Sequence, residues 1–262
     1  MTTNQPLPVV AGIDGSETAV NAAQWAVDEA VGRDVPLRLV YVTKAKHSST
    51  EDYEDDIRRG KAALQEAQKI VTAANQKLET ETAIVTGPPA FALLEESSHA
   101  AMICIGSVGI GRYARAVLGS VAGDLAEKAH CPVAIIRPDE NLPAEAADWI
   151  VVGVRHELRD EPVLEQAMRE ADLRHLPVLL VGNQELMEYK IANWKPRFPD
   201  VHVYPVTADS TDVGRFLKKH HERIALAVIG GSEADEVAQL LGSQGHHSLF
   251  HRSAASVLVI RR

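Results

Sequence analysis

The densest concentration of ligand-binding chemistry lies in Ile105–Ala122, IGSVGIGRYARAVLGSVA. Gly106 directly follows an apolar run, Gly109 comes three residues later, and Gly119–Ser120 opens a helical pattern. This order predicts a strand, a close approach of backbone to ligand, a loop and a helix N-terminus. Glycine permits a positive φ or contact between the main chain and a bound group. A helix start offers unpaired N–H groups and the positive end of its dipole, which suits a phosphate. Ser120 is suited to cap that helix or to donate its hydroxyl to a phosphate oxygen. Arg112 and Arg115 share the loop, either to reach a polyphosphate through charge-assisted bonds or to remain solvated. The lysine loop GxxxxGK[ST] is absent. Gly106–Gly111 comes close to a dinucleotide fingerprint, but its spacing is wrong and it follows the fourth strand pattern instead of the first.

The second candidate group is Asp14, at the end of the first apolar run in GIDGS, Gly12–Ser16. A carboxylate at the C-terminal edge of a strand faces the crevice where open α/β sheets bind ligands. It can accept from an adenine amine or a ribose hydroxyl. The alternative role is local, with Asp14 or Ser16 serving the turn or capping the next helix.

These groups need a scaffold, and the hydrophobic pattern supplies one. Short β-branched runs alternate with longer segments of helical periodicity. The pattern predicts strands at Pro8–Ile13, Pro36–Val42, Thr80–Val85, Ala101–Ile105 and Pro132–Ile136. Helices are predicted at Glu17–Val31, Asp56–Ala74, Gly87–Ser97 and Ser120–Ala129, with residues 45–55 as a polar loop. Continuous apolar strands alternating with helices imply a parallel sheet covered on both faces. Pro138–Ala147 has the composition of a linker, and the pattern then restarts. Strands are predicted at Trp149–Val154, Pro177–Val181, Val201–Val206, Ile224–Ile229 and Ser256–Ile260. Helices are predicted at Glu161–Leu173, Glu185–Trp194, Asp212–His221 and Ser243–Arg252.

The restart is an internal repeat. Ile105–Gly106 and Ile229–Gly230 stand 124 residues apart, and the same offset carries Pro132–Arg137 onto Ser256–Arg261. Val9–Ile13 falls on Ile150–Val154 at an offset of 141, so the second copy is shorter between its first and fourth strands. Duplication predicts two domains, 1–140 and 148–262, in a chain of 262 residues. The second copy departs from the first at its chemistry. Arg155 stands where Asp14 does, Gly230 keeps Gly106, and Glu233 replaces Gly109. An acidic residue at the phosphate approach repels a nucleotide, so a degenerate site is expected there. A different anion held by Arg155, His156 and the His246–His247 pair is the alternative.

Composition excludes several classes. Hydrophobic residues make up 45% and charged residues 24%, enough for real cores, and aromatics only 5%, so the cores must be aliphatic. The net charge of −9 is shared between the halves, −6 in residues 1–140 and −3 in the rest. Neither half offers a basic footprint for nucleic acid or an anionic membrane. The two cysteines, Cys104 and Cys131, lie in apolar runs and predict buried thiols in a reducing, cytoplasmic setting. No apolar stretch is long enough to span a bilayer, and the first residues lack the pattern of a signal peptide. The histidines are scattered, and no metal site is expected.

Together, Asp14 in GIDGS, Val42 closing the second strand, and Gly106-x2-Gly109-x9-Gly119–Ser120 resemble the ATP-binding branch of the universal stress protein family. The resemblance spans the chain as a tandem of two such domains. It implies an α/β fold of two Rossmann-like (adenine nucleotide alpha hydrolase-like) domains. Each would be a five-stranded parallel sheet of order 3-2-1-4-5 with helices on both faces. Carried over residue by residue, Asp14 would contact adenine beside Gly12 and Ile13, and Val42 would pack on or bond the base. Ile105, Gly106, Val108 and Gly109 would line the ribose and first phosphate. Gly119, Ser120, Val121 and Ala122 would hold the outer phosphates, with Arg112 in reach. The ligand would be ATP, with or without Mg²⁺. The resemblance further implies pairing of the two domains through terminal edge strands, an intrachain pseudo-dimer, and leaves room for a homodimer.

Function is expected to be nucleotide binding in stress response or signalling, with ATP as a regulatory ligand and no enzymatic turnover. No general base or acidic Mg²⁺ ligand accompanies the glycine loop, although slow hydrolysis or autophosphorylation stays open. An adenylyl-transferring enzyme of the same superfold is one alternative, but its SGGxDS loop is not matched by GIDGS. A dimerisation scaffold without nucleotide is the other.

Overall fold

Strand and helix alternate through the first half of the chain as the hydrophobic pattern requires. In the computed structural model the described residues are 6–108, 118–137, 149–155, 160–207, 224–231 and 255–261. The chain divides into two units, the first taking Met1–Ala114 and Leu118–Pro138, the second Arg115–Val117 and Asp139–Arg262.

In the first unit the elements are β1 (Val9–Ile13), α1 (Glu17–Arg33), β2 (Leu37–Thr43), α2 (Thr50–Ala74), β3 (Thr80–Thr86), α3 (Pro89–Ser97), β4 (Met102–Gly106), α4 (Ser120–Lys128) and β5 (Val133–Ile136). The sheet order is β3-β2-β1-β4-β5, all parallel. Helices α1 and α2 pack on one face, α3 and α4 on the other. Both faces of the central strands are therefore dry, and Val9, Val10, Ala11, Ile103 and Cys104 are buried. The order in which the chain adds strands reverses between β1 and β4, while every strand keeps the same direction. Their adjacent C-terminal ends form the crevice where such sheets bind ligands.

Alanine explains how closely α1 lies on the sheet. Ala19, Ala22, Ala23, Ala26 and Ala30 are all buried on its inner stripe. Ser16 caps the helix by accepting from the Ala19 N–H, and Asp34 ends it in the left-handed conformation, at φ 54°.

The sequence expectation of a loop over 45–55 is corrected for its second half, because α2 begins at Thr50. Ser49 caps it by accepting from the Asp52 N–H, and Glu51 and Asp52 sit in its first turn, where the helix dipole favours acids. That turn is polar all round and carries no apolar period. The cap, not the hydrophobic pattern, marks its start. Conversely, α3 begins two residues later than expected, at Pro89, after Gly87 turns the chain at φ 154°.

The second unit contains β6 (Trp149–Val154), α5 (Glu161–Arg174), β7 (Val178–Gly182), α6 (Gln184–Trp194), β8 (Val203–Thr207), β9 (Ile224–Gly230) and β10 (Ser256–Ile260). Its parallel order, β8-β7-β6-β9-β10, repeats that of the first unit. Val151, Val152, Val181, Val228 and Leu258 form its buried aliphatic centre. The expected helices at Asp212–His221 and Ser243–Arg252, and the linker Pro138–Ala147, lie outside the described residues.

Both cysteines are buried and neither is in a disulfide, as their apolar context predicts. Burial pushes the Cys131 thiol up to about 12, so it stays protonated near neutrality. Among the described residues no helix is long and apolar enough to cross a membrane.

Candidate nucleotide site

The crevice at the C-terminal ends of β1, β2 and β4 opens into a cavity of about 230 Å³. Gly12 and Ile13 line it from β1 with Asp14 just beyond, and Ile105 and Gly106 from β4 with Val108 just beyond. Val40 and Val42 enter from β2, Pro89 and Leu93 from α3, and Ser16 and Ala19 from the start of α1. Gly119, Ser120, Val121 and Ala122 close it with the first turn of α4. Of the residues singled out from the sequence, all but Gly109 and Arg112 surround this one space. Those two, with Arg115, lie outside the described residues.

Each wall has a local cause. Val40 and Val42 reach one side of the sheet together because side chains alternate along a strand. Period two from Val42 is the signal that finds Val40 in the sequence. Pro89 and Leu93 share a face of α3 one helical turn apart, a relation visible only once that helix is placed over β1. Ser16 belongs to the site as well as to the cap.

Asp14 takes the local role the sequence left open, at the edge of the cavity. Its Oδ1 accepts from the Ser16 N–H at 2.9 Å and from the Ser16 hydroxyl at 2.6 Å, which shapes the turn into α1. The same carboxylate also lines the cavity.

The helix opens at Ser120 as expected, but Ser120 is not its cap. The capping position of α4 is Gly119, and Ser120 is the first helical residue, with an exposed side chain. Gly119 N–H donates to the Ser107 carbonyl at 2.9 Å. The next three N–H groups, of Ser120, Val121 and Ala122, are those that a helix start leaves without partners in its own ladder. They border the cavity and supply its positive pole.

Of the two uses open to the glycines, positive φ and close approach, Gly106 and Gly12 do not have positive φ. Among the described residues positive-φ glycines are Gly15 and Gly87. Gly106 is needed for close approach, and its neighbour is Thr18: an added Cβ would lie 2.7 Å from the Thr18 hydroxyl. At Gly12 an added Cβ would meet Ile105 at 3.1 Å and Leu93 at 3.3 Å, at the base of the cavity.

Beside the cavity stands a polar cluster that spacing alone does not suggest. Asp56 lies 3% exposed on the inner face of α2. It accepts from the Thr43 hydroxyl at 2.6 Å, the Tyr41 hydroxyl at 3.0 Å and the Lys44 N–H at 3.1 Å, and its Oδ2 lies 2.9 Å from His47 Nε2. Burial pushes its carboxyl up, but the bonds from Thr43, His47, Lys44 and Tyr41 outweigh this and hold it well below the usual carboxylate range. The cluster ties the end of β2, next to Val42, to α2. Gly60 makes room for it, since a Cβ there would fall 2.6 Å from the Tyr41 ring.

A wider groove of about 1140 Å³ in the same unit is bordered by Arg38, Glu81 and Glu96. Its guanidinium is already engaged, with Glu96 at 3.0 Å and Glu81 at 3.3 Å, so the groove presents paired charge to a ligand.

In the second unit Arg155 follows β6 at the position of Asp14 and donates its N–H to Asp160 at 2.6 Å. Glu233, His156, His246 and His247 lie outside the described residues. Among the described residues no group of histidine, cysteine, aspartate and glutamate is arranged to hold a metal.

Residues 7–137 match the Universal stress protein family. Universal stress protein Rv2624c of Mycobacterium tuberculosis is 49% identical over 263 residues, covering 97% of this chain and 96% of that protein. Universal stress protein Rv3134c of the same organism is 39% identical, covering 97% and 95%. A solved universal stress protein from Archaeoglobus fulgidus has the same fold, with a TM-score of 0.69 over 98% of this chain and 97% of its own, at 16% identity. The chain belongs to the universal stress protein family.

Proposed function

We propose that the first unit binds an adenine nucleotide, ATP in the first instance, and that the protein acts in stress response or signalling through that ligand. One observation carries the reading: the cavity joins a carboxylate, Asp14, to a helix N-terminus, Gly119–Ala122, across an apolar slot. An adenine fits between Val40, Val42 and Leu93, with its amine toward Asp14. The phosphates fit the N–H groups of α4. At about 230 Å³ the slot is smaller than the roughly 300 Å³ at which drug-sized pockets begin, which suits a base and sugar with the phosphates reaching outward. Mg²⁺ in this reading travels with the phosphate oxygens, since Asp14 is the one carboxylate among the described lining residues.

Nucleotide here is a regulatory ligand. It stabilises the conformation it binds, by an amount set by its concentration relative to Kd. Binding without turnover is part of this reading. The second unit, with Arg155 in place of Asp14, serves pairing or regulation in this reading, and a second copy of the chain is a further expected partner.

The test is direct. Purified protein is denatured, the released small molecules are separated, and melting is followed with added ATP, ADP, AMP and cyclic AMP. A stoichiometric adenine nucleotide, or a melting shift that saturates with one of them, is expected. Absence of both overturns the reading.

A further inference from the structure

Three residues, Gly106, Ser107 and Val108, carry the chain from β4 toward the phosphate end of the cavity. They are held from two sides. Ser107 N–H donates to the Ile136 carbonyl at 2.8 Å, and the Ser107 carbonyl accepts from Gly119 at 2.9 Å. The other two are held by one residue, Thr18, in the first turn of α1. Its side chain fills the space beneath Gly106, where an added Cβ would stand 2.8 Å from the Thr18 Cβ. Its hydroxyl donates to the Val108 carbonyl at 2.5 Å, across 90 residues of sequence. Thr18 is 7% exposed, and the bond it makes is part-buried at the edge of the cavity.

Counting protons fixes the direction. Each hydroxyl has one to give. The Val108 carbonyl can only accept, so the Thr18 proton goes there. The Ser16 proton goes to the Asp14 carboxylate at 2.6 Å, leaving the 3.0 Å contact between Ser16 and Thr18 oxygens without one. The first turn of α1 thus carries two separate braces. Ser16 serves Asp14, at the base end of the cavity. Thr18 serves Val108, at the phosphate end.

We infer that Thr18 is a positioning residue for phosphate recognition: it sets the backbone of Gly106–Val108 against the start of α4 without touching the base. The inference rests on the nucleotide reading of the cavity. It predicts a split by ligand. Binding that uses the phosphates depends on Thr18, and binding of the nucleoside alone does not.

The experiment titrates ATP and adenosine into the unaltered chain, Thr18→Val, Thr18→Ala and Thr18→Ser. Valine keeps the shape of threonine and removes the donor. It is expected to weaken ATP about tenfold and to change adenosine by less than about twofold. Alanine, which cannot overpack, is expected to show the same split should valine disturb the fold. Serine restores the donor and is expected to recover ATP binding. Equal weakening of ATP and adenosine, or ATP binding unchanged in Thr18→Val and Thr18→Ala, overturns the role of Thr18 alone. An unaltered chain that binds neither ligand overturns the nucleotide reading, and this inference falls with it.

Discussion

A β-carbon on Gly106 would stand 2.7 Å from the hydroxyl and 2.9 Å from the carbonyl carbon of Thr18. The first glycine of the Gly106-x2-Gly109 pattern is therefore required by the protein's own packing, whatever ligand the cavity takes. Gly106→Ala must push α1 away from β4. A loss of about 1–3 kcal/mol is expected, as for an overpacked core, measured by urea unfolding without nucleotide. Unchanged stability with lost ATP binding would instead mean that the ligand alone needs this glycine.

Asp14→Asn separates the observed turn role of Asp14 from its proposed contact with adenine. Asparagine keeps one acceptor oxygen for Ser16, so the turn into α1 survives and stability changes by less than about 1 kcal/mol. Its amide then presents a donor to the cavity, against the adenine amine. ATP affinity is expected to fall about tenfold or more, measured by calorimetric titration. Retained affinity would show that Asp14 serves only the turn.

Acid should expose the Asp56 cluster. The folded carboxyl lies below its unfolded value of about 4, so its contribution is complete above that pH and is lost as pH falls toward the folded pKa. Urea midpoints are expected to decline below about pH 5. Asp56→Asn should lower stability at pH 7 by several kcal/mol and flatten that decline, because the group no longer titrates. An equally steep decline in the variant would place the acid sensitivity elsewhere.

Cys104 and Cys131 should resist modification while the chain is folded. The thiolate is the reactive form, and burial both hides Cys131 and pushes its pKa up to about 12. A thiol reagent at pH 7.5 is expected to label neither residue on the timescale at which it labels both in denaturant. Fast labelling of the native chain would contradict the buried placement.

The sequence by itself determined the strand pattern, the repeat and most of the cavity wall. β-branched runs can satisfy their apolar faces only inside a parallel sheet, and the glycines and Asp14 fall at strand ends, where such sheets bind ligands. Local chemistry was legible in the same way at Ser16, though Ser49 was hidden behind a polar turn without apolar period. Tertiary structure alone decided the rest, because it rests on contacts between residues distant along the chain. Gly106 meets Thr18, Thr18 meets Val108, and Asp56 gathers Tyr41, Thr43 and His47 only after β2 and α2 have packed. Periodicity marks which face of a helix turns inward. It does not say which side chain on another element fills the space a missing β-carbon leaves, and in this protein that space sets the shape of the site.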